Sequence, residues 1–523
     1  MTGKCGIRCV LFVIICLWAS TAWAADLRIA TRTDLTSMDP HFHNVAPNVS
    51  ASGHIFETLI DKDAKLKLRP GLAISWTLIS ETEWEFRLRP GVTFHDATPF
   101  TAEDVAWSIR RVPTVPNSPM LFSMYAKLVK DVRVLDPLTI RLITDGPAPT
   151  LLNDLSKLFM VSRRATEGKA SSEFSNPAVA VGTGPYRFVA WVPGDRVSLV
   201  ANPTYWGGRE PWDSVILRPI GNDTARAAAL ISGDVDLIEG VPVADRQQMA
   251  ANPRLSVFET DSIRVIYIHL DTNRDRSPTI TDVGGQPMDK NPLKDWRVRQ
   301  AMNIAINRQG LAERLLNGQA KPVGQLTPEF LFGASPDLPA PAYDPAKAEA
   351  LLKEAGWGQG FSLRLASTND RYPQDAQVAQ AIAQMLTRVG IKTQVDVMPA
   401  SMLFSRGTKL EFSALMAGWF SDSGEASSSL VSMLATYDSA KGMGTANRGR
   451  YSNPKLDEAL ALSLRTMDDS KRAALIARAV EIGMRDVGMI PLYAMINTWA
   501  TRKGLTYDAR TDELTLAMGV RGQ

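Results

Sequence analysis

A repeated change from helix pattern to strand pattern restricts the fold of this chain most strongly. Over Asp375–Arg388 the apolar residues recur on one helical face, and Gly390 follows as a stop signal. Residues 391–397 then alternate apolar and polar side chains with the period of two that is typical of a half-buried strand. Helices and strands that succeed one another in this way predict a mixed α/β architecture.

Two more helices and a strand are expected in the same part of the chain. The apolar spacing predicts one helix over 295–316, and Asp344 followed by Pro345 marks the start of another that ends at Gly356. Residues 412–416 read as a mostly buried strand. Because 523 residues exceed what one hydrophobic core usually organises, we expect two or three lobes.

The first residues have the pattern of an export signal. Lys4 and Arg8 precede an apolar run over 9–18, and an A-x-A cleavage pattern ends at Ala24. The run is shorter than the roughly 20 residues that a spanning helix needs. We therefore expect a signal peptide over 1–24 and a mature protein in the periplasm of a Gram-negative bacterium. All three cysteines lie in this segment, so neither disulfides nor a cysteine nucleophile are expected.

Charge and motif content argue for binding rather than catalysis. The 58 basic and 55 acidic residues nearly balance, which gives no electrostatic reason to expect nucleic acid as a partner. None of the five histidines stands in an H-E-x-x-H pattern, and G-x-S-x-G and phosphate-loop motifs are absent from the sequence. A serine–histidine–acid triad stays open, because its members need not be close in sequence. We expect no enzyme activity, no cofactor and no metal site, although His41 and His43 could share one face of a strand.

Five segments together resemble one known family. They are PGLAISW (70–76), EFRLRPGVTFHDATPFTAEDVAWSIRR (85–111), GTGPYRFVAWVPGDRVSLVANPTYWGG (182–208), VRQAMNIAINRQGLAERLLNGQAKP (298–322) and YDPAKAEALLKEAGW (343–357). In their order and spacing they are similar to the periplasmic dipeptide- and oligopeptide-binding proteins of ABC importers, the extracellular solute-binding proteins of family 5. The resemblance covers nearly the whole mature chain.

The resemblance implies a two-lobed periplasmic-binding-protein clamp of type II, with an extra domain inserted in the first lobe. We expect the first lobe to comprise 25–58, 182–269 and 490–523, and the inserted domain to comprise 59–181. The second lobe would comprise 270–489, with the chain crossing between lobes near Leu270 and Ile490. The usual His-Asp-Gly of the family is His95-Asp96-Ala97 here, which predicts a changed turn.

The family's acidic loop commonly runs Gly-Trp-x-x-Asp-x-x-Asp-Pro, and Gly418 to Ala426 correspond to it. Asp422 matches the aspartate that receives the ligand's α-ammonium in peptide binders, and Trp419 can form a wall beside it. Phe420 and Ser421 complete this part of the expected site. The second Asp and the Pro are missing, which alters the loop downstream. Read without the resemblance, Asp422 could equally be a cap or turn residue, and Glu425 reads as a solvated charge.

Two other loops are expected to contribute to the same site. The segment 367–373 follows a strand, and there Arg371 can donate a bidentate pair to a ligand carboxylate, with Asn369 and Tyr372 beside it. Arg371 could instead be a surface residue paired with Asp370 or Asp375, and Arg406 and Arg448 are alternatives for its role. In the first lobe, Phe42 and Asn44 are expected on the opposite wall.

The sequence therefore predicts a monomeric solute-binding protein that captures di- or oligopeptides and delivers them to ABC permease subunits with their ATPase subunits. Peptides need a carboxylate for the ammonium and a guanidinium for the carboxylate, and this chain offers both. The alternative is a non-peptide solute in the same importer type: a nickel chelate, haem, glutathione, an opine or a sugar conjugate. An exported hydrolase is the third interpretation.

Overall fold

The computed structural model of the protein describes residues 25–119 and 122–522. The predicted signal peptide and the cysteines lie outside these residues. Over the described ranges, no helix has the combined length and apolar character that crossing a membrane requires.

The helices and strands alternate along the whole described chain. The strands are β1 Asp26–Thr31, β2 Ile60–Lys62, β3 Leu68–Pro70, β4 Ala73–Ser80, β5 Glu83–Leu88, β6 Val129–Asp136, β7 Thr139–Thr144, β8 Tyr186–Val192, β9 Arg196–Ala201, β10 Ser214–Pro219, β11 Leu237–Glu239, β12 Leu255–Leu270, β13 Ile280–Thr281, β14 Ala320–Pro322, β15 Phe361–Thr368, β16 Ile391–Met398, β17 Ala414–Phe420, β18 Met489–Arg502, β19 Leu505–Tyr507 and β20 Val520–Gly522. The α-helices are α1 Ala46–Ile55, α2 Ala102–Arg111, α3 Ser123–Ala126, α4 Leu151–Leu155, α5 Arg163–Thr166, α6 Asp223–Ser232, α7 Arg246–Ala251, α8 Trp296–Ile304, α9 Arg308–Gly310, α10 Pro345–Glu354, α11 Asp375–Arg388, α12 Ala400–Thr408, α13 Ser427–Ser429, α14 Pro454–Ser463 and α15 Asp469–Arg485.

Several local predictions are confirmed. Helix α11 has the predicted bounds, and β16 follows it directly. The side chain of Asp344 accepts a hydrogen bond from the Lys347 backbone N–H at 2.9 Å, so it caps α10 as its position before Pro345 predicts. These elements are specified by residues close in sequence, which is why the pattern finds them.

The single helix predicted over 295–316 is wrong. Helix α8 ends at Ile304, and the side chain of Asn307 accepts the Gly310 backbone N–H at 2.8 Å. This contact caps a new short helix, α9, which continues into a π-helical turn over Leu311–Leu315. An Asn side chain that satisfies an N-terminal backbone donor favours a fresh helix start over a continuous helix.

The second lobe places its part of the main sheet between two helical layers. Ala414 and Met416 of β17 join the core that contains α8, α10 and α11, whereas Leu415 and Ala417 join the core that contains α14 and α15. Successive strand residues point to opposite faces, so a continuous apolar run is what a strand covered on both sides requires. Strand β17 also starts later than the predicted 412–416 strand and extends to Phe420, which brings Trp419 and Phe420 into the strand.

Two further cores accompany the second lobe. The antiparallel sheet β4–β5–β7–β6 packs with α2 around Phe86, Val105 and Leu142; we call this the inserted-domain core. Strands β1, β10 and β11 surround Leu27 and Trp499 in what we call the first-lobe core. The domain boundaries expected from the sequence stay a prediction, because a core cluster does not delimit a chain segment to the residue.

Strands β12 and β18 pass through both lobes. They pair antiparallel from Leu255↔Arg502 to His269↔Met489, with a shift in register between Asp261 and Val265. Residues 499–501 of β18 pair with β11, which continues the sheet to β1. Residues 264–270 of β12 pair with β17, which continues the sheet to β15. The two strands themselves therefore join the lobes, and the two-lobed clamp is organised around them.

In the turn after β5, Ala97 has a backbone conformation that glycine adopts more readily. Ala97 has φ +66°, in the left-handed region, and its N–H donates to the Phe94 carbonyl at 2.9 Å. The changed turn that the sequence suggests at this position stays a prediction. The surrounding structure holds alanine in a conformation that glycine adopts more readily.

Candidate functional site

Asp422 lies at the junction of three parts of the chain. Tyr125 donates its hydroxyl to Asp422 Oδ2 at 2.6 Å, and the same hydroxyl accepts a hydrogen bond from Asn44 Nδ2 at 2.6 Å. Burial, and then the charge of Asp422, raise the pKa of Tyr125 well above its ordinary value, so the phenol stays protonated and donates. Asn44 and Asp422, both predicted for the site, are thus connected through a residue that the sequence did not single out.

The backbone of the same loop is held by a buried lysine. Lys62, only 6% exposed, donates from Nζ to the carbonyl oxygens of Asp422 at 3.4 Å and Ser423 at 3.1 Å. Burial lowers the pKa of Lys62 to about 7, and the positive charge of Lys157 adds to this effect. Lys62 belongs to β2, so a second contact fixes the acidic loop to the part of the chain that precedes the inserted sheet.

Glu425 is not the solvated loop charge that the sequence suggests. It is 3% exposed and forms an ion pair with Arg472 of α15, which is 2% exposed. Its Oε1 accepts from Asn153 Nδ2 at 2.8 Å, and its Oε2 accepts from the Ser427 hydroxyl at 2.9 Å. These donors compensate the cost of burying a carboxylate. Glu425 therefore anchors the downstream half of the loop and connects it to α4.

The aromatic residues of the loop stand where the sequence places them, next to Asp422. Trp419 and Phe420 are half-buried, and Ser421 is fully buried. Tyr372, 7% exposed, accepts the Gly418 backbone N–H through its hydroxyl at 2.9 Å. Trp419 packs against the core that contains α14 and α15, and Phe420 packs on the opposite face of β17.

Arg371 and Asn369 are exposed at the end of β15. Asp375 does not pair with the guanidinium of Arg371: it accepts the Thr368 hydroxyl at 2.5 Å and the backbone N–H groups of Arg371 and Tyr372, each at 3.2 Å. Asp370 accepts the Ala400 N–H at 2.8 Å. Both carboxylates proposed as surface partners of Arg371 are therefore engaged by other donors.

One of the two alternative arginines is paired elsewhere. Arg406 pairs with Glu411 at 2.7 Å and stacks on the ring of Phe412, with 4.8 Å to the centroid. Arg448 lies over Phe404, 5.4 Å from its ring centroid, and its Nε is buried without a hydrogen-bond partner among the described residues. Arg371, which is exposed, and Arg448, which is not, therefore both remain candidates for the ligand carboxylate.

The loop that carries Phe42 and Asn44 is held by hydroxyl contacts. Phe42 is half-buried, and its carbonyl accepts the Ser118 hydroxyl at 2.5 Å. His43 forms a hydrogen bond with the Thr36 hydroxyl through Nδ1 at 2.9 Å. Burial lowers the pKa of His43, and the positive charge of Arg371 lowers it further.

The other two N-terminal histidines do not converge with His43. His41 is 1% exposed, and its ring nitrogens contact the Phe159 carbonyl at 2.8 Å and Arg111 Nη1 at 2.9 Å. His54 is fully buried, with its nitrogens bonded to the Ser50 carbonyl and the Ala517 N–H. Over the part of the chain that the structure describes, no group of three or more His, Cys, Asp or Glu residues has metal-binding geometry.

Sequence reasoning missed Tyr125, Lys62, Arg264 and Glu513. Arg264 forms a bidentate ion pair with Glu513, with Nε–Oε1 at 2.8 Å and Nη2–Oε2 at 2.7 Å. Its guanidinium lies over Phe420, 4.7 Å from the ring centroid. These residues stand in no motif, and each has a partner more than 200 positions away, so no local signal could have assigned them.

Two surface cavities lie away from this group of residues. One, of about 400 Å³, is lined by residues of α2, α3 and β6, and the other, of about 660 Å³, is lined by residues around α8 and Asp486. Neither includes a predicted site residue. We place the candidate site at the acidic loop, because that is where charged and aromatic side chains from separate chain segments meet.

Comparison with known proteins identifies the class to which this clamp belongs. Residues 67–441 match the family described as bacterial extracellular solute-binding proteins, family 5 Middle. The chain belongs to this family, whose members are periplasmic solute-binding components of ABC importers.

Individual relatives are similar over nearly their whole length. The glutathione-binding protein GsiB of Shigella dysenteriae is 29% identical over 506 residues, which cover 95% of this chain and 94% of that protein. GsiB of Pectobacterium atrosepticum is 31% identical over 467 residues, covering 87% and 86%. The solved structure of the periplasmic binding protein DppA of Helicobacter pylori, in complex with the peptide STSA, has a TM-score of 0.79 at 25% identity and covers 95% and 98%. The family and the two-lobed clamp expected from the sequence are thereby confirmed.

Proposed function

We propose that this protein captures small peptide-like solutes with a free ammonium group and delivers them to the membrane permease of an ABC importer. Asp422 would receive the ammonium, Trp419 and Phe420 would exclude water, and Arg371 would meet a carboxylate at the other end of the solute. The protein acts as a binding component and performs no chemical step on its ligand.

One observation carries this proposal. Three polar side-chain atoms within three residues of Asp422 in the sequence are buried without a hydrogen-bond partner among the described residues: Trp419 Nε1, Ser421 Oγ and Ser423 Oγ. Buried polar groups in folded proteins almost always have partners, and an unsatisfied one costs about 1–3 kcal/mol. A polar ligand seated against the acidic loop would satisfy these groups together with the carboxylate.

The relatives support the same class of ligand and point to two different members of that class. The GsiB relatives are named for glutathione, a modified tripeptide, and the DppA structure holds the peptide STSA. Both ligands carry an ammonium and a carboxylate. We take glutathione and short peptides as the two leading candidates within the proposed class.

A thermal-shift screen of the refolded, ligand-stripped mature protein tests the proposal. The panel contains di- to tetrapeptides, their N-acetylated forms, glutathione, haem and a nickel–histidine chelate. A ligand present at 100 times its dissociation constant should raise the free energy of unfolding by about 2.7 kcal/mol. We expect free-amine ligands to shift the melting temperature and acetylated ligands not to shift it.

Two variants test whether the binding seen in that screen depends on Asp422. Asp422→Asn should weaken binding of free-amine ligands at least about 30-fold, because it leaves a buried ammonium without its counter-charge. Asp486→Asn is a matched control, since Asp486 also accepts a tyrosine hydroxyl, from Tyr451 at 2.9 Å, but lies away from the acidic loop. If only haem or nickel–histidine shifts the melt, or if both variants bind alike, the proposed ligand class is wrong.

A further inference from the structure

Arg264 lies beside the acidic loop and near two aromatic rings. Its Cα is the register partner of Phe420 in the β12–β17 ladder, and Asp422 follows two residues later. The guanidinium carbon lies 4.7 Å from the centroid of the Phe420 ring and 6.0 Å from that of Tyr372. Only 11% of the side chain is exposed, so the guanidinium is held within the candidate site.

Glu513 orients this guanidinium from one edge. Its two carboxylate oxygens accept from Nε and Nη2, and Oε1 also accepts the Ser262 hydroxyl at 3.0 Å. Glu513 has φ +60°, a left-handed conformation that is uncommon for a residue other than glycine and that persists where the surroundings impose it. The described hydrogen bonds leave the remaining nitrogen of Arg264, Nη1, without an acceptor.

The charges of the site alternate in sign. Burial alone would lower the pKa of Arg264, but the charge of Glu513, and to a smaller extent that of Asp422, raises it. Burial alone would raise the pKa of Glu513, and Arg264 followed by Arg371 lowers it. Each charged group in this series therefore has a neighbour of opposite sign. The series is Asp422 (negative), Arg264 (positive), Glu513 (negative) and Arg371 (positive).

A positive group next to the ammonium acceptor distinguishes two kinds of amino terminus. In an ordinary peptide the first residue carries an ammonium, but its carbonyl is part of an amide and is uncharged. In a γ-linked residue, a free carboxylate is attached to the same carbon as the ammonium. Only the second kind presents opposite charges, two bonds apart, to a carboxylate and a guanidinium that are neighbours in the site.

We propose that Arg264, positioned by Glu513, receives a carboxylate attached to the same carbon as the ammonium that Asp422 receives. This inference rests on the proposed function and narrows its ligand class. The site then selects solutes with a free α-amino-acid head group, as in a γ-glutamyl conjugate, over peptides that begin with an ordinary amide-linked residue. Arg371 remains for a second carboxylate at the far end of the solute.

Two isomers of one tripeptide test this selection in the wild-type protein. Glutathione has a γ-linked glutamate, whereas α-glutamyl-cysteinyl-glycine has the same composition and formal charges with an ordinary peptide bond. Titration calorimetry under reducing conditions should give at least tenfold tighter binding of glutathione. Esterifying only the α-carboxylate of its glutamate should remove that advantage. Equal affinities, or tighter binding of the α-isomer, would overturn the inference.

Variants test whether Arg264 is the residue that binds the carboxylate next to the ligand's ammonium. Arg264→Gln should remove the preference for glutathione while leaving the affinity for the α-isomer within about threefold, and Glu513→Gln should reduce the preference. Arg246→Gln is the control, because Arg246 also pairs with a glutamate outside the acidic loop: its Nη2 donates to both carboxylate oxygens of Glu259, at 2.9 and 2.8 Å. Equal loss of both isomers in Arg264→Gln would assign Arg264 a structural role only.

The outcomes separate the two proposals. Free-amine peptides that bind while the two isomers bind equally would refute the inference and leave the proposed function standing. Failure of every free-amine ligand would refute the proposed function itself. If Arg264→Gln does not fold, the wild-type comparison of the isomers and of the α-ester still decides the question.

Discussion

The hydroxyl of Tyr125 donates to Asp422 Oδ2 at 2.6 Å, across 297 positions of sequence. Lys62 and Asn153 contact the same loop, through the carbonyls of Asp422 and Ser423 and through Glu425. The acidic loop of the second lobe is therefore held from three directions by residues between 59 and 181. These contacts connect the segment 59–181 to the loop proposed to bind the ligand.

The Tyr125 contact should matter for affinity. Tyr125→Phe removes the donor that fixes one oxygen of Asp422, and a hydrogen bond to a charged group contributes about 1.5–3 kcal/mol. We expect the affinity for a free-amine ligand to fall about tenfold in titration calorimetry. Tyr451→Phe, which loses a comparable bond to Asp486, should leave affinity unchanged. Tighter binding in Tyr125→Phe would mean that the phenol competes with the ligand for Asp422.

The Glu425–Arg472 pair should contribute strongly to stability because both side chains are at most 4% exposed. Arg472→Met leaves a buried carboxylate without its counter-charge, and we expect the free energy of unfolding to fall by about 3–5 kcal/mol in urea denaturation. Adding Glu425→Gln should recover part of that loss. The exposed pair Arg276–Asp289 is the control, and Arg276→Met should cost less than about 0.5 kcal/mol. Similar losses in the two single variants would contradict the prediction.

Lys62 should make stability depend on pH. Its pKa is about 7 in the folded protein, against an ordinary value of 10.5, because burial disfavours its charged form. Between these two values the unfolded chain binds a proton that the folded protein does not, so the free energy of unfolding rises with pH by up to about 1.4 kcal/mol per unit. Below pH 7 both states are protonated and this dependence vanishes.

Denaturation of wild type and Lys62→Met at pH 6, 7.5 and 9 measures this dependence. The difference in unfolding free energy, wild type minus variant, should grow in favour of the wild type from pH 7.5 to 9 and stay level near pH 6. Parallel profiles over the whole range would show that Lys62 keeps its proton on folding.

Ala97→Gly should stabilise the protein. The backbone at Ala97 has φ +66°, where an L side chain is strained and glycine is not. We expect a gain of about 0.5–1 kcal/mol in the free energy of unfolding, reduced by the greater freedom of glycine in the unfolded chain. Ala301→Gly, inside α8, should instead destabilise, by about 1 kcal/mol. A loss of stability in Ala97→Gly would mean that the turn changes conformation.

Sequence by itself determined the elements whose signals are local. The bounds of α11, the Asp344 cap of α10 and the mixed α/β class depend on residues within a few positions of one another. The resemblance of five segments to a known family added the two-lobed clamp and pointed to Asp422, Trp419 and Arg371. The interruption after α8 escaped prediction because the capping contact of Asn307 competes with an equally good apolar period.

Only the tertiary structure decided how the candidate site is assembled. Glu425 reads as a loop charge until Arg472 and Asn153 are brought to it, and Arg264 reads as an ordinary strand residue until Glu513 returns from the C-terminal segment. The physical reason is that burial and ion pairing are set by which distant segments pack together. A linear pattern records the polarity of a side chain but not its partner. The sequence therefore predicted that Asp422 receives a ligand's ammonium, and the tertiary structure showed which distant residues contact the loop of Asp422.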